Sequence, residues 1–285
     1  MTENAIRQGQ PENINDDEHR KSERSPMPRY WVSIDSSESM KINNWFWGFK
    51  NVSAVTNERT FLGTILPKSG VGHSVPLIIS KKSFMSVASF QGMMNSLVFD
   101  YIVRQKVGGI NITYNYVQQF PVLPPENFEE HINYLLPKIL ELTYTSWDIK
   151  AFADDLWRES DAAMRALITR QWEESRSEVG GHEWEVPEWS AAYPEISWDR
   201  ESGGCPLPPF RWDEPRRARL RAQLDALYAR LYGLTRDELR YILDPQELYG
   251  PDFPGETFRV LKDKEMRLYG EYRTGRLVME AWGDG

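Results

Sequence analysis

The run Gln118-Gln119-Phe120-Pro121-Val122-Leu123-Pro124-Pro125 divides this chain into two parts of different character. Proline removes a backbone donor and pushes the residue before it toward extended backbone, so the run can be neither helix interior nor central strand. Before it, short β-rich stretches surround one long apolar helix. Tyr30-Trp31-Val32-Ser33-Ile34-Asp35 predicts a strand, and further strands are expected around 46–54, 60–66 and 75–79. Pro67 ends the third, and Pro76 places the fourth at a sheet edge. From 86 to 105 the period changes: Val87, Phe90, Met94, Leu97 and Tyr101 fall at helical spacing, and Gly108-Gly109 stops the helix. Asn111 to Val117 alternates as a strand would, with Ile112, Tyr114 and Tyr116 on one face.

After Pro125 the pattern is helical. Ile132, Leu135, Leu136, Ile139, Leu140 and Leu142 form one apolar stripe, and helices are expected over 146–158 and 161–177. Residues 183–212 hold Trp184, Trp189, Trp198 and Trp212 with five prolines, a long irregular insertion. A helix from Asp213 carries Leu220, Leu224, Leu227 and Leu231 and stops at Gly233. Thr235-Arg236-Asp237-Glu238 is a capping box opening a helix to Leu243, and two more are expected over 256–268 and 271–282. The pattern predicts an α+β protein: a disordered tail at 1–29, a mixed sheet with a packed long helix at 30–125, and a mostly helical domain at 126–285.

Hydrophobic residues at 40% of 285 suffice for a buried core. The single cysteine, Cys205, excludes an internal disulfide framework and a cysteine-based zinc site, and the four histidines are scattered. No apolar run approaches the roughly 20 residues that span a bilayer, and the start carries no secretory pattern. A reducing, cytoplasmic setting is the expectation, with no membrane partner.

The net charge of −8 argues against a polyanion partner until its distribution is considered. Arg29 to Gln119 holds nine Lys/Arg against four Asp/Glu, a net +5, which leaves −13 for the remainder. Thr60 to Phe99 contains no carboxylate. Such asymmetry fits a polyanion-facing part joined to an acidic one.

Catalytic motifs fall short. A methyltransferase acting on exocyclic amines needs a glycine-bearing cofactor loop and an Asn/Asp/Ser-Pro-Pro-aromatic element whose side-chain oxygen accepts from the amine. In Leu207-Pro208-Pro209-Phe210 the first residue has no such oxygen, and Leu123-Pro124-Pro125-Glu126 fails at both ends. Asp252 with Asp263-Lys264-Glu265 is too loose for a nuclease metal site, and Asp263 to Glu265 reads as a solvated helix face. Arg216-Arg217-Ala218-Arg219-Leu220-Arg221 likewise reads as a solvated face over a leucine stripe.

DNA reading has better support. Arg104 and Lys106 end a helix beside Gly108-Gly109, where backbone can approach a phosphate. Asn111, Asn115, Gln118 and Gln119 follow, amides suited to bidentate contacts with adenine. Lys50, Asn57, Arg59 and Thr60 are candidates for a second edge of the same surface. The bland alternative is that Arg59 pairs with Glu58 or Asp100 and that the asparagines are turn residues. The tryptophans of 183–212 offer a sugar-stacking surface in one reading, and pack the insertion onto its own domain in the other.

Several segments resemble the C-terminal portion of type IIG-like restriction–modification proteins and related adenine-specific DNA methyltransferases. They include Thr56-Asn57-Glu58-Arg59-Thr60-Phe61, Asn95 to Tyr101, Arg104 to Gly109, Gln119 to Pro125, Leu224 to Leu234, Tyr241 to Pro245 and Gly270 to Thr274, in order from about residue 45 to the end. The resemblance implies a target recognition domain plus a helical C-terminal region. In such proteins this part follows a catalytic domain that binds S-adenosylmethionine. It implies that the module grips a specific duplex site and helps present an adenine for flipping, in a phage-defence setting. The catalytic half is not in this sequence, so no cofactor is expected on this chain, and S-adenosylmethionine is expected on a catalytic methyltransferase partner. The expected function is therefore sequence-specific recognition of double-stranded DNA without catalysis of its own. Two rivals are an interaction subunit that docks on the catalytic chain without reading DNA, and a carbohydrate-binding module built on the tryptophan insertion.

Overall fold

The computed structural model describes residues 14–25, 44–255 and 257–283. The strand expected over Tyr30–Asp35 and most of the tail lie outside them. Residues 14–25, expected to be disordered, are placed: α1 (Asp16–His19) is a single turn closed by an Asn15/Glu18 capping box. It docks on the helical part, where the Trp147 N–H donates to the Ser22 carbonyl and the Trp189 indole to that of Glu23. The His19 ring stacks on Trp212 at 4.0 Å.

The fold is α+β, with a small three-stranded antiparallel sheet among thirteen described helices. β1 (Trp45–Phe49) lies between β2 (Gly63–Pro67) and β3 (Leu77–Ile78), with Trp47 opposite Ile65 on one side and Ile78 on the other. All five β1 residues are buried. Alternation sends Trp45, Trp47 and Phe49 to one face, where Trp45 meets Phe84 and Phe152 edge-on and Trp47 meets Phe90. Phe49, Phe61, Phe99 and Phe120 continue as a chain of ring contacts, each 5.3–5.5 Å from the next. The Trp45 indole donates to Asp155 at 2.9 Å, fixing the strand to the helical part.

The long helix expected over 86–105 is two: α2 (Phe84–Met94) and α3 (Leu97–Lys106). The break has a tertiary cause. Asn95 turns its amide onto β2, accepting from Gly63 N and donating to Gly63 O at 3.0 Å each. Ser96 then caps α3 by accepting from Phe99 N, and Asp225 accepts from Leu97 N at 2.7 Å. Asn111 to Val117 is not a strand. Asn111 makes one isolated bridge to Val52, and α4 (Tyr114–Val117) is a helical turn. Three or four alternating residues fit either period, and the Tyr114 hydroxyl bond to Leu77 O at 3.1 Å holds the turn against β3.

Beyond Pro125 the helices run α5 (Glu126–Glu129), α6 (Ile132–Thr143), α7 (Lys150–Glu159), α8 (Ala162–Val179), α9 (Glu214–Leu231), α10 (Arg236–Leu243), α11 (Gln246–Tyr249), α12 (Arg259–Tyr269) and α13 (Arg273–Gly283). The Thr235/Glu238 capping box opens α10, and Gly233 (φ +77°) follows α9 as its sequence expected. Gly92 on α2 is packed so closely that an added Cβ would lie 2.6 Å from the Tyr228 hydroxyl and 2.8 Å from Ile139 Cδ1. The principal core draws on both sides of residue 125, from Trp47 and Phe61 through Leu135 and Phe152 to Leu227.

Two surface readings of charge need correction. Arg216 and Arg217 are buried. Arg216 binds Glu141 at 2.6 Å and Glu178 at 2.5 Å, while Arg217 donates to Leu142 O and lies 3.6 Å over the Trp212 ring. Glu265 is buried as well, accepting from Thr274 N at 2.8 Å and from the Thr274 hydroxyl at 2.6 Å. The tryptophan insertion packs onto its own surroundings: Trp184 meets Trp147, and Trp189 meets Tyr193 and Trp198. Leu207 to Phe210 is a buried strap in which Pro208 O accepts from the Trp172 indole. No helix among the described residues is long and apolar enough to cross a membrane.

Candidate nucleic-acid interface

The ten residues read as DNA contacts separate into an internal set and a rim. Arg59, Thr60 and Arg104 are internal. Their organiser is Asp100 on α3, which is fully buried. Its Oδ1 accepts from Thr60 N at 2.8 Å and Phe61 N at 2.6 Å. Its Oδ2 accepts from Arg104 Nε at 3.0 Å and faces Arg59 Nε at 3.5 Å. The remaining donors of Arg104 go to carbonyls: Nη1 to Val55 and Thr257, Nη2 to Asn57 and Glu58. Every guanidinium N–H is thus used, and its side chain is 5% exposed. Arg59 also donates to Asn95 O, and the Thr60 hydroxyl to Ala54 O. These three residues shape the loop 54–61; Arg104 has no donor left for a duplex, and Arg59, its side chain 21% exposed, is held against Asp100 and the Asn95 carbonyl. The spacing of Asp100 and Arg104, four apart on one helix face, was the sequence signal for that role.

The rim is exposed. Lys50, Asn57, Lys106, Asn111, Asn115, Gln118 and Gln119 all present their side chains to solvent. Lys50 follows β1, and backbone bonds join residues 51–53 to 110–112: Ser53 N donates to Ile110 O at 3.0 Å and Ile112 N to Asn51 O at 2.8 Å. This pairing brings Lys50 and the end of β1 beside the Lys106–Asn111 loop, although they are some sixty positions apart in the chain. α4 then carries Asn115, and Gln118 and Gln119 follow it. Gln119 spends its amide donor on Asn115 O at 2.8 Å, and Asn57 donates to the Ser53 hydroxyl at 3.2 Å. Among the described residues the side chains of Lys50, Lys106, Asn111, Asn115 and Gln118 make no hydrogen bond or ion pair with other protein groups.

Charge reinforces the division. Residues 44–125 contain two carboxylates, Asp100 and Glu58. Asp100 is consumed inside, and Glu58 is held by Lys264 Nζ at 2.9 Å. Of the seven cations in the same span, Arg59 and Arg104 are tied to Asp100 and Lys68 lies 3.7 Å from Glu195. Lys50, Lys81, Lys82 and Lys106 remain exposed without an ion pair among the described residues. The lysine pair, just beyond β3, was not among the residues singled out by sequence. Its signal was present in the absence of any carboxylate from Thr60 to Phe99.

Among the described residues no three His, Cys, Asp or Glu side chains group as metal ligands. Cys205 is buried, and burial pushes its thiol up to about 12, so it stays protonated. No protein-family model, curated protein or solved structure matches this chain.

Proposed function

We propose that this chain recognises double-stranded DNA in a sequence-specific manner, as the specificity part of a restriction–modification or DNA adenine methyltransferase system. Catalysis, with S-adenosylmethionine as methyl donor, belongs to a partner chain or domain. One observation carries this reading: a rim of exposed amides and lysines built from a segment, 44–125, whose own two carboxylates are already engaged. Lysines there attract phosphates at any sequence, and Asn111, Asn115 and Gln118 supply the donor–acceptor pairs that distinguish base edges. Arg59, Thr60 and Arg104 act as positioning residues beneath that rim. The rival sugar-binding reading is disfavoured by the tryptophan insertion, whose indoles are spent on internal contacts and carbonyls.

The test is fluorescence anisotropy of the chain with a randomised duplex of about 30 base pairs across a salt series, followed by sequencing of the bound fraction. Salt-dependent binding with an enriched motif is expected. Lys106→Ala should weaken binding to all sequences and flatten the salt slope by about one unit. Gln118→Ala should relax preference at one position, at a cost of roughly 1–3 kcal/mol on the enriched site. Absence of binding at low salt would remove DNA reading by this chain and favour the docking-subunit alternative.

A further inference from the structure

The rim contains one residue that charge and hydrogen bonding do not explain. Ile110 is 64% exposed, more than any other large hydrophobic residue described. It is not a loose loop side chain. Val107 before it and Ile112 after it are both buried, so the loop is anchored in the core at each end. Between the anchors, Ser53 N holds the Ile110 carbonyl at 3.0 Å, and Ile112 N is bonded to Asn51 O at 2.8 Å. The backbone is therefore fixed, and β-branching makes the side chain itself stiff. Gly108 and Gly109 precede it, and an added Cβ at either would meet nothing within 4 Å. Exposed Val52 sits across the isolated bridge to Asn111, and Lys106 and Lys50 stand beside the same loop.

We propose that Ile110 is a wedge that enters the base stack of the bound duplex and unstacks one base step. The proposal rests on the reading of this face as a DNA interface. A rigid apolar knob gains by leaving water, and beside Lys50 and Lys106, unpaired among the described residues, the apolar surface a duplex offers is its base stack. The two bare glycines leave no bulk to hold the phosphate backbone away, so the tip reaches deeper than its amide neighbours. A contact to a single thymine methyl would cover the knob only in part. Asn111, directly after the wedge, is then brought to the edges of the opened step.

The experiment uses the full chain and its enriched duplex, with 2-aminopurine placed at successive positions. Binding should raise 2-aminopurine fluorescence severalfold at one step. Ile110→Ala should abolish that rise and weaken binding about fiftyfold, in line with the loss of three apolar carbons from a buried contact, whereas Ile110→Leu should retain the rise. Lys106→Ala should bind more weakly yet show the full rise at saturation. Because Ile110 is exposed, its substitution leaves the core intact, and an unchanged melting curve checks this. Tight binding with no rise at any position overturns the wedge and leaves DNA reading standing. So does uracil in place of thymine reproducing the Ile110→Ala loss, which would assign the residue to a methyl contact. No salt-dependent binding by the unmodified chain overturns the wedge and the DNA reading together.

Discussion

Arg104→Ala should destabilise the fold itself, before any question of DNA arises. The substitution removes five donors at once and leaves Asp100 buried with only Arg59, at 3.5 Å, as a facing cation. Breaking a buried ion pair by deleting one partner costs about 3–5 kcal/mol. Arg59 and the N–H groups of Thr60 and Phe61 still serve the carboxylate, which places the expected loss near the lower end, about 3 kcal/mol. Four carbonyls also lose a donor, and those of loop 55–58 can recover water in part. Against a total stability of about 5–15 kcal/mol this is a large fraction. Urea unfolding followed by tryptophan fluorescence should show a midpoint lowered by about 1 M, for a slope near 3 kcal/mol/M. Arg104→Lys should fall between, since three rotatable donors replace a five-donor fork. Lys106→Ala, two residues on and exposed, should stay within about 0.5 kcal/mol of the unmodified chain. An Arg104→Ala chain with an unchanged midpoint and a selective loss of DNA affinity would refute the division between internal set and rim.

Burial raises the Asp225 carboxyl to about 6. The native state then holds a proton that the unfolded chain, with a carboxyl near about 3.9, has released, so stability falls as pH rises from about 4 to about 6, by up to roughly 3 kcal/mol. Asp225→Asn keeps an oxygen to accept from Leu97 N and should flatten that slope, measured by urea midpoints at pH 4, 5, 6 and 7; an unchanged slope would assign the dependence elsewhere. Gly92→Ala should cost about 1–3 kcal/mol through overpacking against Tyr228 and Ile139, despite a gain in helix propensity of about 1 kcal/mol. A thermal melt equal to or above that of the unmodified chain would show that α2 shifts freely away from α6 and α9.

What the sequence disclosed is what local chemistry decides. The stripe from Ile132 to Leu142, the Thr235/Glu238 box and the stop at Gly233 each depend on residues within a turn of one another, and each stands where expected. What it concealed depends on partners far along the chain. The break at Asn95 is made by Gly63, the burial of Arg216 by Glu141 and Glu178, and the capping role of Glu265 by the start of α13. The candidate site shows the same split. Composition identified a carboxylate-poor segment, and its amides at 111, 115, 118 and 119 are exposed, though on a loop and a helical turn rather than the expected strand. Whether a particular arginine faces solvent or a carbonyl is a tertiary matter: Arg59 takes the alternative pairing with Asp100, and Arg104 turns inward to the same carboxylate four residues before it.

The Asp100–Arg104 cluster also limits how this face can be re-engineered. Arg104 reaches across to Thr257, Leu97 is capped from α9 by Asp225, and Trp45 is tied to α7 by Asp155. Transplanting residues 44–125 onto another scaffold would therefore cut these polar attachments to the helical part, together with the buried bond from the Tyr228 hydroxyl to Ser89 O. The segment 108–119 is different. It is fastened through backbone bonds to residues 51–53 and through the seating of Ile112 in the core, while its amides point outward. Side-chain libraries at 110, 111, 115 and 118, with Ile112 left in place, would alter the rim while every buried attachment survives.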